Sequence, residues 1–86
     1  MQNVIFSDHA LFQMRRRGIS EKEVMRVIQK PGQTEEVRPG RVIFQSQLTV
    51  GEPAGTFLLR VFVDVGKSGL EVVTVYRTRK IEKYWR

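Results

Sequence analysis

The sequence predicts an α+β domain spanning residues 1–86, with two N-terminal helices on one face of a three- to four-stranded antiparallel sheet and a short C-terminal helical turn. Three observations predict it. Two stretches of helical spacing precede Pro31-Gly32; beyond them the apolar period changes from 3.6 to 2; and turn signals divide the alternating region at intervals that suit hairpins rather than crossovers.

Ser7 precedes a stretch, Asp8 to Arg17, that lacks Pro and Gly and ends at Gly18, so N-cap and C-cap signals bracket the first helix. Ser20-Glu21-Lys22-Glu23 reads as a capping box, followed by Val24, Val27 and Ile28 at helical spacing. Gln33 to Val37 adds a short first strand, closed by Pro39-Gly40. In the next strand Val42, Phe44, Leu48 and Val50 share one face, while Arg41, Ile43, Gln45 and Gln47 share the other. Gly51 to Gly55 is a loop. Phe57, Leu59, Val61, Val63 and Val65 then alternate with Leu58, Arg60, Phe62 and Asp64, and Gly66-Lys67-Ser68-Gly69 makes a hairpin turn. The final strand, Leu70 to Arg77, alternates ambiguously. We assign Val73 and Val75 to the core, which places Tyr76 and Thr78 beside Arg60 on the open face and leaves Val72 and Phe62 there too. Lys80 to Trp85 reads as a helical turn in which Ile81 and one of Tyr84 or Trp85 pack back on the domain.

A chain of 86 residues with 41% hydrophobic and 28% charged residues fits one small folded domain. The absence of cysteine excludes disulfides, thiolate metal sites and thiol catalysis. No run approaches the roughly 18 apolar residues of a membrane span, and the N-terminus has no signal-like segment, so a cytoplasmic protein is expected. The net charge of +6 is uneven. Arg15, Arg16 and Arg17 outweigh Asp8 at one end of the chain; Arg77, Arg79, Lys80, Lys83 and Arg86 outweigh Glu82 at the other; the middle is balanced. Such an excess, rich in Arg, points to a polyanionic partner, with solubility alone as the bland reading.

His9 is the one histidine and shares a helix side with Gln13 and Arg16, an arrangement that suits phosphodiester chemistry if the imidazole moves a proton beside a cation. Arg60 stands mid-strand between apolar neighbours and needs a partner. Asp64 shares its face but lies about 13 Å along the strand, which leaves an anionic ligand as the sharper alternative. Arg17, before Gly18, also suits the negative end of a helix. The remaining basic and aromatic residues at the C-terminus could equally bind phosphate or anchor the chain end. One His and scattered acids make no metal set, and no Gly-rich phosphate motif is present, so no cofactor is expected.

The segment His9-Ala10-Leu11-Phe12-Gln13-Met14-Arg15-Arg16-Arg17-Gly18-Ile19-Ser20, with Val73-Thr74-Val75-Tyr76-Arg77-Thr78 far downstream, resembles the bacterial domain of unknown function 4258 family. That family is similar to small toxins of the RelE, ParE and BrnT kind. The resemblance implies a RelE- or barnase-like fold, RNA cleavage without a metal, RNA and a co-encoded antitoxin as partners, and compatibility with a homodimer. On this sequence it points to His9, Arg17, Tyr76, Thr78 and Lys80, with Arg60 as a neighbouring sheet arginine. Taken with the basic residues of the open face and the chain ends, the expected catalytic residues are His9, Arg60, Tyr76 and Lys80, with Arg16, Arg17, Arg41, Arg77, Thr78, Arg79 and Lys83 on the nucleic acid. Two positions depart from the family pattern: Gln13 stands where an arginine is common, and Arg79 where a small residue is expected. The expected function is therefore a toxin acting as a metal-independent endoribonuclease; the alternative is a non-catalytic module of the same fold that binds nucleic acid or protein.

Overall fold

The computed structural model describes residues 3–86, with the backbone alone at Val50. In chain order the elements are β1 (Asn3–Phe6), α1 (Asp8–Arg17), α2 (Glu21–Gln29), β2 (Gln33–Arg38), β3 (Arg41–Val50), β4 (Gly55–Gly66), β5 (Gly69–Thr78) and α3 (Ile81–Tyr84). The α+β class and the order of helices and hairpins match the expectation. The sheet is larger than expected, with five strands in the order β1-β5-β4-β3-β2. Strands β2 to β5 form the antiparallel meander. The added strand, β1, pairs parallel with β5 from Asn3↔Gly69 to Phe6↔Val72. Its four residues are too few to show a period, and its pairing is with the far end of the chain, so no local signal marks it.

Both helices begin as their caps dictate. The Ser7 hydroxyl accepts from the Ala10 amide at 3.0 Å, and Gly18, at φ 69°, closes α1 by donating to the Met14 carbonyl. The Ser20 hydroxyl accepts from the Glu23 amide at 3.1 Å while the Glu23 carboxylate accepts from the Ser20 amide at 3.0 Å, a complete capping box. The helices press Ala10, Met14, Val24 and Val27 on the sheet side formed by Leu59, Val61, Val63, Val72 and Val75. Phe44 and Leu48 border this core; the expected place of the Val50 side chain lies outside the described residues. Each fully buried Leu or Val here contributes about 1.5–3 kcal/mol.

The last strand corrects one assignment. Register between β4 and β5 runs as Phe62↔Thr74 and then Val63↔Val72, so Val73 is an extra, bulged residue. Strict alternation would put Val73 and Val75 together in the core. The bulge reverses the phase below it, burying Val72 completely and leaving Val73 half-exposed. Above the bulge the expectation holds: Val75 points to the core, and Tyr76 lies beside Arg60 on the other face.

Where β1 stops, α1 takes over the edge of β5. The Ser7 amide donates to the Val72 carbonyl at 2.9 Å, the Val75 amide donates to Gln13 Oε1 at 3.1 Å, and Arg77 Nη2 donates to the Arg17 carbonyl at 2.8 Å. Gln13 thus satisfies a strand amide that no neighbouring strand reaches. At the other end of β5, Gly69 sits at φ 148°, and a Cβ there would strike the Asn3 carbonyl. Gly69→Ala therefore combines backbone strain with loss of the β1 pairing, and we expect it to cost about 1–3 kcal/mol in urea unfolding.

Candidate active site

The sheet face away from α1 and α2 carries a polar row that crosses four strands. Register places Gln33 on β2 opposite Gln45 on β3, Gln45 opposite Arg60 on β4, and Arg60 opposite Tyr76 on β5. Because residues opposite one another across a ladder have adjacent side chains, the four join by hydrogen bonds. Gln45 Nε2 donates to Gln33 Oε1 at 2.9 Å, Arg60 Nε donates to Gln45 Oε1 at 3.0 Å, and Arg60 Nη1 donates to the Tyr76 hydroxyl at 2.5 Å.

The C-terminal residues lie over this row. Thr78 Oγ1 accepts from the Lys80 amide at 3.1 Å and turns the chain into α3. Gln45 Nε2 also donates to the Tyr84 carbonyl at 3.2 Å, and the Gln33 side chain both donates to the Arg86 carbonyl and accepts from its amide. Gly32 makes room for Trp85, whose ring would come within 2.8 Å of a Cβ at that position. The Tyr84 ring covers Arg60, its centroid 4.0 Å from the guanidinium carbon, while the Phe62 and Tyr76 rings stand 5.5 and 5.7 Å away. Arg60 is left 6% exposed.

The electrostatics of this cluster are unusual in one respect. Among the described residues the ion pairs are Arg41–Asp64 and Arg86–Glu35, so the buried Arg60 guanidinium has only neutral partners. Its Nη2 group is the donor that neither Gln45 nor Tyr76 engages. The two tyrosines beside it are pushed in opposite directions. Burial raises the Tyr76 phenol above its usual value, against the pull of its Arg60 hydrogen bond. The Tyr84 phenol is lowered, first by the Tyr76 hydroxyl next to it and further by the charges of Lys83 and Arg60. Lys83 Nζ lies 5.5 Å from the Tyr84 ring centroid. Together the groups offer a fixed cation, a hydroxyl that keeps its proton and a second that releases one more readily.

The expected site residues divide between two places. Arg60 and Tyr76 meet in the row, with Lys83 at its cover. His9 does not join them: it is exposed on α1, whose Ala10 and Met14 pack against the opposite face of the sheet. Lys80 is exposed at the start of α3. Arg41 is held by Asp64 through two bonds of 2.6 and 2.9 Å, so Asp64 serves Arg41 and not Arg60. Arg16 and Arg17 lie instead in the last turn of α1, and Arg77 and Arg79 at and just beyond the end of β5, where the bond from Arg77 to the Arg17 carbonyl joins the two elements. Sequence reasoning did not single out Gln45 or Tyr84. Gln45 was legible as an open-face residue, but its role as the Arg60 acceptor depends on strand register; Tyr84 depends on the path of the C-terminal turn.

Among the described residues, no helix is long and apolar enough to cross a membrane, and no cluster of three or more His, Asp or Glu side chains could hold a metal ion. Fold and site together define a small α+β domain with a buried arginine on the sheet face opposite its helices. Residues 6–77 match the family described as domain of unknown function (DUF4258), and the chain belongs to that family. No curated protein and no solved structure gives a significant match.

The charges set two expectations for stability. Gln45→Leu removes the neutral acceptor of a buried cation and should cost about 2–4 kcal/mol; adding Arg60→Met, which removes the cation itself, should recover much of that loss in a double-mutant cycle. Simple additivity would show that the two residues act independently. At the start of β3, Arg41 holds the Asp64 carboxyl below its ordinary 3.8, chiefly by hydrogen bonding. The pair's stabilisation is then full above the unfolded-state value and is lost as pH falls through the lower folded-state value. Urea midpoints should fall less steeply below about pH 4 in Asp64→Asn than in the parent.

Proposed function

We propose that this chain is a metal-independent endoribonuclease of the RelE-like kind, the toxin of a toxin–antitoxin pair, with its centre at Arg60, Tyr76 and Tyr84. The observation that carries the reading is a buried guanidinium with no carboxylate, placed beside a tyrosine whose proton is loosened. A phosphate is the anion that such a fork fits best.

In the proposed reaction the RNA 2′-oxygen attacks the adjacent phosphorus and the bond to the 5′-oxygen breaks, giving a 2′,3′-cyclic phosphate and a free 5′-hydroxyl. Tyr84, as its phenolate, takes the 2′-proton and becomes the neutral phenol. Arg60 balances the charge that builds on the non-bridging oxygens, where preorganised donors act most strongly. Tyr76 keeps its proton and holds Arg60 in line, and the Lys83 ammonium supplies the proton to the leaving oxygen. His9, in the opposite layer, takes no part.

A second reading has one observation in its favour. Tyr84 covers the guanidinium, which suits a module that binds RNA or protein without cutting. Incubation of the purified protein with a long RNA, with and without chelator, separates the two: intact RNA under both conditions supports the second reading. If the first holds, cleavage persists in chelator, Arg60→Gln lowers it by about 10²–10³-fold, and His9→Ala leaves it unchanged. Emission from Trp85, the one tryptophan, checks that each variant keeps its C-terminal turn in place. Because Tyr76 is the first cause of the lowered Tyr84 value, Tyr76→Phe should shift the alkaline rise in rate to higher pH; an unchanged profile removes Tyr84 as the base.

A further inference from the structure

A second basic cluster lies away from the Arg60 row. Phe57 is on the β4 face that carries Leu59 toward the core, two residues before it. Arg77 and Arg79 leave β5 toward the same side. Their guanidinium carbons stand 5.7 and 5.0 Å from the Phe57 ring centroid, so one ring holds two cations. Arg77 is further fixed by its 2.8 Å bond to the Arg17 carbonyl. Together with the turn at 51–55, these residues line a groove of about 430 Å³ in which Glu52 is the one acid among the described residues. Neither Arg77 nor Arg79 takes part in an ion pair among the described residues.

Two like charges on a shared aromatic ring, with no carboxylate in salt-bridge contact among the described residues, repel one another, and an anion between them relieves that repulsion. Both are guanidiniums, whose planar fork takes two phosphate oxygens at once, and Arg15, Arg16 and Arg17 extend the positive field along the end of α1. The two guanidinium forks are the cationic donors of the groove, and a phosphate is the group common to every nucleotide that both can grip. We propose that Phe57, Arg77 and Arg79 form a second phosphate-binding site that grips single-stranded nucleic acid by its backbone and without sequence preference. The ligand follows from the RNA reading given above, but the site does not depend on cleavage. Since Arg77 and Leu59 share one side of the sheet while Arg60 and Tyr76 share the other, a strand held at both sites passes around the end of the sheet at Thr78.

The test is fluorescence anisotropy with a labelled 12-nucleotide single-stranded RNA and its DNA counterpart, over a salt series, using the full chain. Each phosphate of a single strand that the protein ceases to neutralise reduces the slope of log affinity against log salt by about 0.7. The Arg77→Gln/Arg79→Gln double variant should therefore lower the slope by about 1.4 on both RNA and DNA. Arg79→Gln alone, which leaves the Arg77–Arg17 bond in place, should lower it by about half as much and keep Trp85 emission unchanged. Phe57→Leu should weaken binding several-fold with the slope preserved, because the cations remain but lose their support. A wild-type protein that binds but does not cut sinks the nuclease reading and leaves this one standing. The site is overturned if the double variant keeps the parent slope, if neither nucleic acid binds, or if only RNA of one sequence shows the loss. Preference for an acidic peptide such as polyglutamate over both nucleic acids also overturns it.

Discussion

An arginine that is 6% exposed and whose guanidinium faces no carboxylate is the constraint around which the rest of the sheet is arranged. Removing a cation from water costs several kcal/mol even after relaxation. Hydrogen bonds to a charged group each return about 1.5–3 kcal/mol, and a desolvated cation–π contact returns up to about 2 kcal/mol. Gln45, Tyr76 and the Tyr84 ring together can therefore offset the penalty, but no two of them leave much margin. All three must be in place at once, which requires β3, β4 and β5 to be in register and the C-terminal turn to lie over them. Gln33 extends the demand to β2, because Gln45 offers its oxygen to Arg60 only while its nitrogen donates to Gln33 and the Tyr84 carbonyl.

The bulge at Val73 has a comparable reach on the other face. It lets β5 turn Val72 into the core near β1 and still present Tyr76 to Arg60 further on. A regular strand could not do both, since alternation would send residues 72 and 76 to the same side. Above the bulge, β5 is bordered by α1 in place of β1, and the helix end meets the strand end at the bond from Arg77 to the Arg17 carbonyl. The two basic segments of the chain thus meet at Arg17 and Arg77. That carbonyl is one of the orphan acceptors at a helix C-terminus, so the contact satisfies the helix while concentrating positive charge.

Much of this was legible in the sequence where the signal is local. Ser7, Gly18, Ser20, Glu23 and Pro31 mark the helices, and the two-residue turn Lys67-Ser68 marks the β4–β5 hairpin; each acts through neighbours a few residues away. The pairing of Tyr76 with Arg60 was also legible, because it lies on the regular part of β5. What could not be read depends on partners distant in the chain. Strand β1 is four residues long and pairs with residues 69–72. The bulge hides among three valines whose chemistry is the same on either face. Asp64 shares a face with Arg60, but register gives it to Arg41. His9 was singled out for its chemistry, and chemistry alone does not say on which side of a sheet a helix lies.

The two layers that enclose Arg60 are held with unequal strength. Below it, Gln45 and Tyr76 belong to central strands with backbone pairing on both sides, or on one side with α1 along the other, and they move only if the sheet does. Above it, the C-terminal turn rests on the Gln45–Tyr84 bond, on the two bonds between the Gln33 side chain and the Arg86 backbone, on Trp85 over Gly32 and on the Arg86–Glu35 pair. That pair is largely exposed, 74% at the arginine side chain, and such pairs contribute at most about 1 kcal/mol. α3 is four residues long, too short to be stable by its own hydrogen bonds. A charge-assisted phosphate contact at Arg60 is of the same order as what holds Tyr84 over it. The row on the sheet is thus the fixed part of the site, and under the proposed reaction the C-terminal turn would supply the contacts with which an incoming phosphate has to compete.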